Sequence, residues 1–408
     1  MAAPSSKPCK PVMASGVRSK KKSMPDSSGA TVLDDLPEWL VVEEILVRLP
    51  TKDVLRCRAV KQSWRAATST DKFVLNHHRH QPSLPIFQHL RGIYCLAAAG
   101  EQKIRHVVRY SMRCYPLSCD GLLILSLHGP GIYICNPATR KWAPLPPPSL
   151  RRHASFATVV AFYRHHASAE HRVLWSTHSR SLTSDATVER PGYLVLPVGS
   201  HKPRCVQWPT HLGNFPATRS FVEDPPVHHR GGLHWALGLG ITVFDTDTET
   251  FRQMSRPAQL PGGTVSLIDT CGDLALCRAA ADFVTLDVWM LQDYDAEAWS
   301  FRYRIDLRAM EASPPLDLTV NYFAPMMAVV NERELLIQHC SDRLLHCDID
   351  GVFLGDVEIG EHGSLSSRFA NSLTLARYHL KESMISLPLF EMQREDAVNE
   401  DPPFTIVL

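Results

Sequence analysis

The chain has 408 residues, of which 44% are apolar and 21% charged, with a formal net charge of +1; that is enough for two or three domains and a sizeable core. A balance so near neutrality argues against a surface built to neutralise many phosphates, so bulk nucleic-acid binding is excluded. The 11 cysteines are odd in number and scattered from Cys9 to Cys347 with no Cys-x-x-Cys pair, which fits neither a disulfide framework nor a zinc module and suits a reducing compartment.

Residues 1–32 are rich in Ser, Pro, Ala and Lys and carry no acidic residue before Asp26. Such a segment cannot bury a core and is expected to be a disordered basic tail. Arg18, Lys20, Lys21 and Lys22 fit a nuclear address, part of an organelle-targeting segment or, more plainly, a solvated tail.

Residues 33–80 read as a small helical domain of three short helices. Pro37 suits the first turn of a helix, which needs no N–H there, and Pro50 ends it. Thr51 is placed to cap a second helix, and Cys57, Val60, Trp64 and Ala67 then recur at spacings that put them on one helical stripe. Leu40, Ile45, Leu46, Leu49, Val54 and Leu55 add a second apolar surface. Units below about 40 residues rarely fold alone, so this surface is expected to complete its core against another polypeptide.

The order Leu36-Pro37, then Ile45-Leu46-x-Arg48-Leu49-Pro50, then Leu55-Arg56-x-Arg58-x-Val60 and Trp64 resembles the F-box. The Leu-Pro pair lies one residue further from Ile45 than is usual in that family. The resemblance implies binding to the small adaptor subunit of cullin-RING ubiquitin ligases, and through it indirectly to the cullin scaffold. The implied adaptor-binding residues are Leu36, Pro37, Ile45, Leu46, Leu49, Pro50, Leu55, Val60 and Trp64.

Past the Pro-flanked connection at Gln81 to Pro85, short apolar runs are punctuated by Gly, Pro, Asn and Asp, which is the texture of strands. One unit recurs: a glycine opens a strand, a turn follows, and a second strand ends in Asn or Asp. It is seen at Gly121–Leu125 with Ile132–Trp142, at Gly231–Trp235 with Ile241–Phe251, and more weakly at Glu334–Ile337 with Leu344–Asp348. Gly272–Leu276 with Leu286–Leu291 and Trp299, and His171–Trp175 with Tyr193–Leu196, make two further pairs. The terminal Asn or Asp organises the next turn through local backbone bonds. Repeated antiparallel units predict a β-propeller over residues 86–390, with a β-sandwich as the other architecture, and residues 391–408 as an acidic C-terminal segment. The fold class is therefore α+β overall, a small three-helix unit followed by a large antiparallel all-β domain.

The turn Asn136-Pro137-Ala138-Thr139, Phe244-Asp245 with Glu249 and Phe251, the Trp289 block and Asn371–Leu375 resemble the F-box-associated, kelch-like region that follows the F-box in many plant proteins. Together the two resemblances imply a non-catalytic substrate receptor of an SCF-type ligase, whose β domain binds an unknown target protein, in the cytoplasm and/or nucleus. A non-degradative interaction module and a propeller oxidase are the alternatives.

Other chemistry is weak in the sequence. Gly238-Leu239-Gly240 continues into a strand with Val243 where a dinucleotide loop needs a third glycine. His77, His78 and His80, His165-His166 and His228-His229 read as polar loop ends, because adjacent side chains diverge and no Cys or carboxylate completes a ligand set at a recognised spacing. No G-x-S-x-G elbow marks a nucleophile. Tyr133, Trp142, Trp235 and Trp289 are expected to pack between sheets, and Arg151, Arg152 and His153 to be a solvated loop. No catalytic residue, metal or cofactor is expected, and no membrane segment: Leu233 to Phe244, the best apolar run, falls short of the about 20 residues a span requires and reads as strands.

Overall fold

The computed structural model describes residues 36–89, 91–96, 104–111, 114–128, 131–149, 156–178, 192–209, 225–238, 240–270, 272–313, 315–318, 324–339, 343–357, 374–396 and 401–408. The basic tail, the loop at Arg151 to His153, and Asn371, Ser372 and Leu373 lie outside these residues.

The N-terminal unit begins with α1 (Glu38–Leu40), which passes through a π turn (Val41–Ile45) and a 3-10 turn (Leu46–Arg48) before Leu49 takes an extended conformation ahead of Pro50. Helices α2 (Thr51–Val60) and α3 (Gln62–Thr68) follow, and then a fourth, α4 (Asp71–His80), whose Thr70 hydroxyl accepts from Phe73 N at 3.3 Å. Two expectations are corrected here. Thr51 is fully buried as the first residue of α2 and makes no capping bond. The single stripe through Cys57, Val60, Trp64 and Ala67 is broken because Lys61 is extended (φ −138°, ψ 130°). The chain turns there, so Val60 faces solvent while the other three pack on the helical core.

Residues from Ser83 onward build six antiparallel sheets. In blade 1, β1 (Ser83–His89), β2 (Gly92–Leu96) and β3 (Ile104–Tyr110) lie between two strands from the far end of the chain, β24 (Thr374–Lys381) beside β1 and β25 (Phe404–Ile406) beside β3. Blade 2 is β4 (Cys114–Cys119), β5 (Leu122–Leu127), β6 (Gly131–Asn136) and β7 (Lys141–Pro144). Blade 3 is β8 (Phe156–Arg164), β9 (His171–His178), β10 (Gly192–Pro197) and β11 (Arg204–Val206). Blade 4 is β12 (Val227–His229), β13 (Gly232–Trp235), β14 (Ile241–Asp245) and β15 (Thr250–Met254). Blade 5 is β16 (Thr264–Thr270), β17 (Asp273–Ala279), β18 (Thr285–Asp293) and β19 (Ala298–Asp306). Blade 6 is β20 (Met326–Val329), β21 (Glu334–His339), β22 (Arg343–Asp348) and β23 (Phe353–Asp356).

The first strands of blades 2 to 6, together with β24, line the axis, which makes the molecule a six-bladed β-propeller. The hairpins legible in sequence pair as expected, with Leu123 opposite Cys135, Leu233 opposite Phe244, Leu335 opposite Cys347, Leu276 opposite Trp289 and Leu194 opposite Trp175. The C-terminal segment is not a separate acidic tail. It supplies α5 (Pro388–Asp396) and β25, and Phe404 packs edge-on against Tyr133 at 5.4 Å and Trp142 at 6.0 Å in blade 2. Three residues are too few to show a strand's alternation in sequence.

The turns also join blades. Asn136, Asp245 and Asp293 each accept two backbone N–H groups through Oδ1, at 3.0 and 3.2 Å, 3.0 and 2.7 Å, and 3.0 and 2.9 Å respectively. Four residues on, Arg140, Glu249 and Glu297 each take a positive φ of 57°, 53° and 50°. That left-handed residue re-aims its side chain at the preceding blade: Arg140 donates to Leu408 O at 3.2 Å, and Glu297 accepts from Arg252 at 3.1 Å and from Ser255 N at 2.6 Å. Glu249, only 3% exposed, receives Arg172 at 2.6 Å, Tyr163 Oη at 2.8 Å and the Arg204 guanidinium.

Candidate functional site

Three regions concentrate chemistry: the exposed face of the helical unit, its junction with the propeller, and the axial cavity beneath. In the helical unit Val41, Val42, Leu46, Val47, Val54 and Phe73 form the buried centre. Of the residues expected at an adaptor surface, Pro37, Pro50 and Val60 are exposed, with Val60 at 76%. Leu36, Ile45, Leu49, Leu55 and Trp64 are half-buried, available along one edge only. Leu46 is different: at 3% exposure it belongs to the unit's own core. The expected list missed Trp39, which is 61% exposed beside Pro37; a tryptophan between Glu38 and Leu40 outside the motif positions was the available signal. Val60 adjoins a groove between α2 and α3 lined by Arg58, Ala59, Gln62, Arg65, Ala66 and Ser69. Lys61 lies 5.6 Å from the Trp64 ring centroid.

The junction is built by α4 and the segment before α5. Met384 inserts into the helical core, while Val74 and Leu75 of α4 pack against the cluster of Ile385, Leu387 and Phe390 that rests on blades 2 and 3. Asn136 fixes this segment, its buried side-chain amide donating to Ser383 O at 3.0 Å and Ile385 O at 2.9 Å. The helical unit and the propeller therefore share a core across the line that composition draws near residue 80. The histidines near His77 are not loop ends, since they fall on α4. His77, fully buried, donates through Nε2 to Leu49 O at 2.8 Å, and Gln81 Nε2 donates to the same carbonyl at 3.0 Å. Burial pushes the His77 imidazole down despite that backbone bond. His228 and His229 lie on β12, again not at a loop end.

The axial cavity, of about 300 Å³, is lined by side chains that include Ser118, Asp120, His228, Asp269, Tyr378 and Lys381, and His78 of α4 reaches its mouth. His228 is open to water within the cavity yet walled in by protein, and this desolvation pushes its imidazole down. Burial pushes the Asp120 carboxyl up, but the hydrogen bond to His171 and the neighbouring His171 and His78 outweigh it and hold Asp120 below the usual carboxylate range. Gly240 leads into β14, so the Gly238–Gly240 segment opens a strand; Leu239 lies outside the described residues. Trp235 is 1% exposed and Trp289 meets Phe301 at 5.6 Å, as packing residues. Among the described residues no helix is long and apolar enough to cross a membrane.

A family model, the F-box associated beta propeller domain, matches residues 49–320, from the end of the first helical segment through β1–β3 of blade 1 and the whole of blades 2 to 5. The chain belongs to this family. Its relatives in Arabidopsis thaliana carry F-box names. It is 25% identical over 321 residues to F-box protein At5g49610, covering 72% of this chain and 84% of that one. It is 25% identical over 305 residues to F-box/LRR-repeat protein At2g43260, covering 67% and 68%, and 21% identical over 327 residues to F-box/LRR-repeat/kelch-repeat protein At2g27520, covering 76% and 86%. The family model begins inside the helical unit, so the matched region is not confined to the propeller.

Proposed function

We propose that this chain is the substrate-recognition subunit of an SCF-type cullin-RING ubiquitin ligase. The observation that carries the reading is a helical unit presenting Trp39, Val60, Pro37 and Pro50 to solvent while its other side is locked into a family propeller through Met384 and α4. A lone surface residue means little, but several exposed apolar side chains on one small helical unit suit a partner's helices. The unit acts as an F-box and binds the small adaptor, which links it to the cullin scaffold; the propeller, with its kelch-like hairpin repeats, captures the target protein. No residue of this chain takes part in the chemistry. Holding a target beside a charged conjugating enzyme makes the transfer effectively intramolecular, and the shared core keeps target and enzyme at a fixed separation. Cys57, Cys95, Cys114, Cys119, Cys135, Cys277 and Cys347 are free thiols, which supports residence in the reducing cytoplasm or nucleus.

The test is a titration of the full chain against the adaptor. Trp39→Ala with Val60→Asp should weaken binding by about 2 kcal/mol or more, the range of interface anchors, and leave the thermal midpoint unchanged because both side chains are exposed. Undiminished adaptor affinity in that variant would refute the assignment of this face.

A further inference from the structure

The junction between α4 and blades 2 and 3 gathers donors from three places in the chain. Cys119 ends β4, Asp120 follows it in the turn to β5, and His171 opens β9. One sulfur, one carboxylate oxygen and one ring nitrogen from these residues all lie within 4.8 Å of one another. Asp120 Oδ2 is 3.2 Å from His171 Nε2, and Asp120 Oδ1 is 3.7 Å from His78 Nε2.

The hydrogen bonding of His78 is the second observation. Its Nδ1 is 3.0 Å from Glu382 O, and a carbonyl only accepts, so Nδ1 carries the proton. In the neutral ring Nε2 is then a bare lone pair, and it faces the lone pairs of Asp120 across a gap too long for a hydrogen bond. Two acceptors turned toward each other lack the positive charge between them. A histidine whose far nitrogen is tied to a backbone carbonyl is also the usual orientation of a metal-ligating imidazole.

The geometry points to a divalent cation site, zinc foremost, with Cys119 Sγ, the Asp120 carboxylate and His171 Nε2 as its gathered ligands and His78 Nε2, 3.7 Å from Asp120 Oδ1, as the fourth, which must close in when the ion binds. Mixed sulfur, nitrogen and oxygen donors in a closed set of four suit structural zinc. With bonds of roughly 2.0–2.3 Å, donors around a tetrahedral zinc stand about 3.4 Å apart. The Asp120–His171 separation of 3.2 Å already matches, while the His78 ring lies outside the group of three mutually close donors and must move in to complete the shell. On binding, the thiol proton is released to solvent and the sulfur binds as thiolate, while the proton by which His171 Nε2 bonds Asp120 moves to the ring's Nδ1 or to solvent and frees the Nε2 lone pair. The sequence hid this set because His78 and Cys119 are 41 positions apart and only the packing of α4 on the propeller unites them. Lys381 and Asp269 also line the cavity and contribute charges of opposite sign. The ion would staple the helical unit to blades 2 and 3.

The test is metal content of the purified full chain after dialysis, together with cobalt substitution. Expected are about one zinc per chain and, with cobalt, a thiolate-to-cobalt charge-transfer absorption. Both should be lost in Cys119→Ser with Asp120→Asn, and the absorption alone should be lost in Cys119→Ser. Cys135→Ala, a buried thiol in the same blade, should retain both, which separates ligand loss from damage to the fold. A zinc-free wild type with no cobalt absorption overturns the proposal, as does zinc that persists in the double variant. The readout needs no adaptor, so failure of the receptor reading would leave it standing.

Discussion

Asn136→Ala is expected to loosen the helical unit from the propeller without touching either one's own packing. The side chain is fully buried and makes four bonds: it donates to Ser383 O at 3.0 Å and Ile385 O at 2.9 Å, and accepts from Ala138 N at 3.0 Å and Thr139 N at 3.2 Å. At about 0.5–1.5 kcal/mol net for each bond, with a further cost for buried carbonyls left unpaired, the loss is about 3–5 kcal/mol. For a chain of this size the unfolding entropy converts that to a drop of about 4–6 °C in the melting midpoint. Calorimetry reads the midpoint, and hydrogen exchange reads the place. Exchange should accelerate at residues 382–387 and in α4, because Met384 holds the helical core from that segment. Asn136→Asp keeps the acceptor but loses both donors, and should fall between wild type and alanine in exchange at the turn. A midpoint within about 1 °C of wild type, or faster exchange confined to the 137–140 turn, would refute the view that this side chain ties the two units together.

Acidification should destabilise the propeller. Burial holds the His234 imidazole down to about 3, so between there and the ordinary 6.5 the unfolded chain binds a proton that the folded one does not, and stability rises with pH across that window. The contribution is complete above about 6.5 and at pH 5 about 2 kcal/mol of it is gone; His77 and His78, also held down chiefly by burial, add in the same direction. A melting midpoint flat from pH 7.5 to 5 would contradict this. Glu249→Ala removes the shared partner of Arg172, Tyr163 and Arg204 between blades 3 and 4, and should cost about 2–3 kcal/mol in chemical denaturation because the buried Tyr163 hydroxyl loses its acceptor and Arg172 is left with the exposed Glu170 as its carboxylate partner. A loss under about 1 kcal/mol would mean that the cluster is solvated as a surface pair is.

The hairpins were legible because their signals are local. Asn136, Asp245 and Asp293 announce their turns by side-chain bonds made within three residues, and apolar runs such as Leu122–Leu125 announce buried strands. What happens four positions on was hidden: Glu249 stands in the sequence only as part of a family motif, and nothing local tells that blade 3 brings Arg172 to it. The helical surface was legible as a set of apolar positions but not by face, since the extended Lys61 interrupts the periodicity that would have grouped Val60 with Trp64. His77 and His78 read as polar ends because nothing near them in sequence tells of Leu49, Asp120 or Glu382. Contacts over long separations are set by packing, and periodicity carries no trace of them.

Blade 1 holds β1, β2 and β3 between β24 and β25, and this arrangement sets a schedule for biosynthesis. Three of its strands are among the first propeller residues to emerge, yet both of their neighbours are made last. At about 5–20 residues per second the wait between β3 and β24 is about 13–50 s, during which the two unpaired edges β1 and β3, carrying Ile86, Phe87, Val107 and Val108, are open to mispairing. The ring can close only after translation has passed residue 381, and blade 1 is complete only after residue 406. Newly made chains should therefore depend on chaperones for that interval, and ribosomes stalled short of β24 should release an open ring that quality control can recognise.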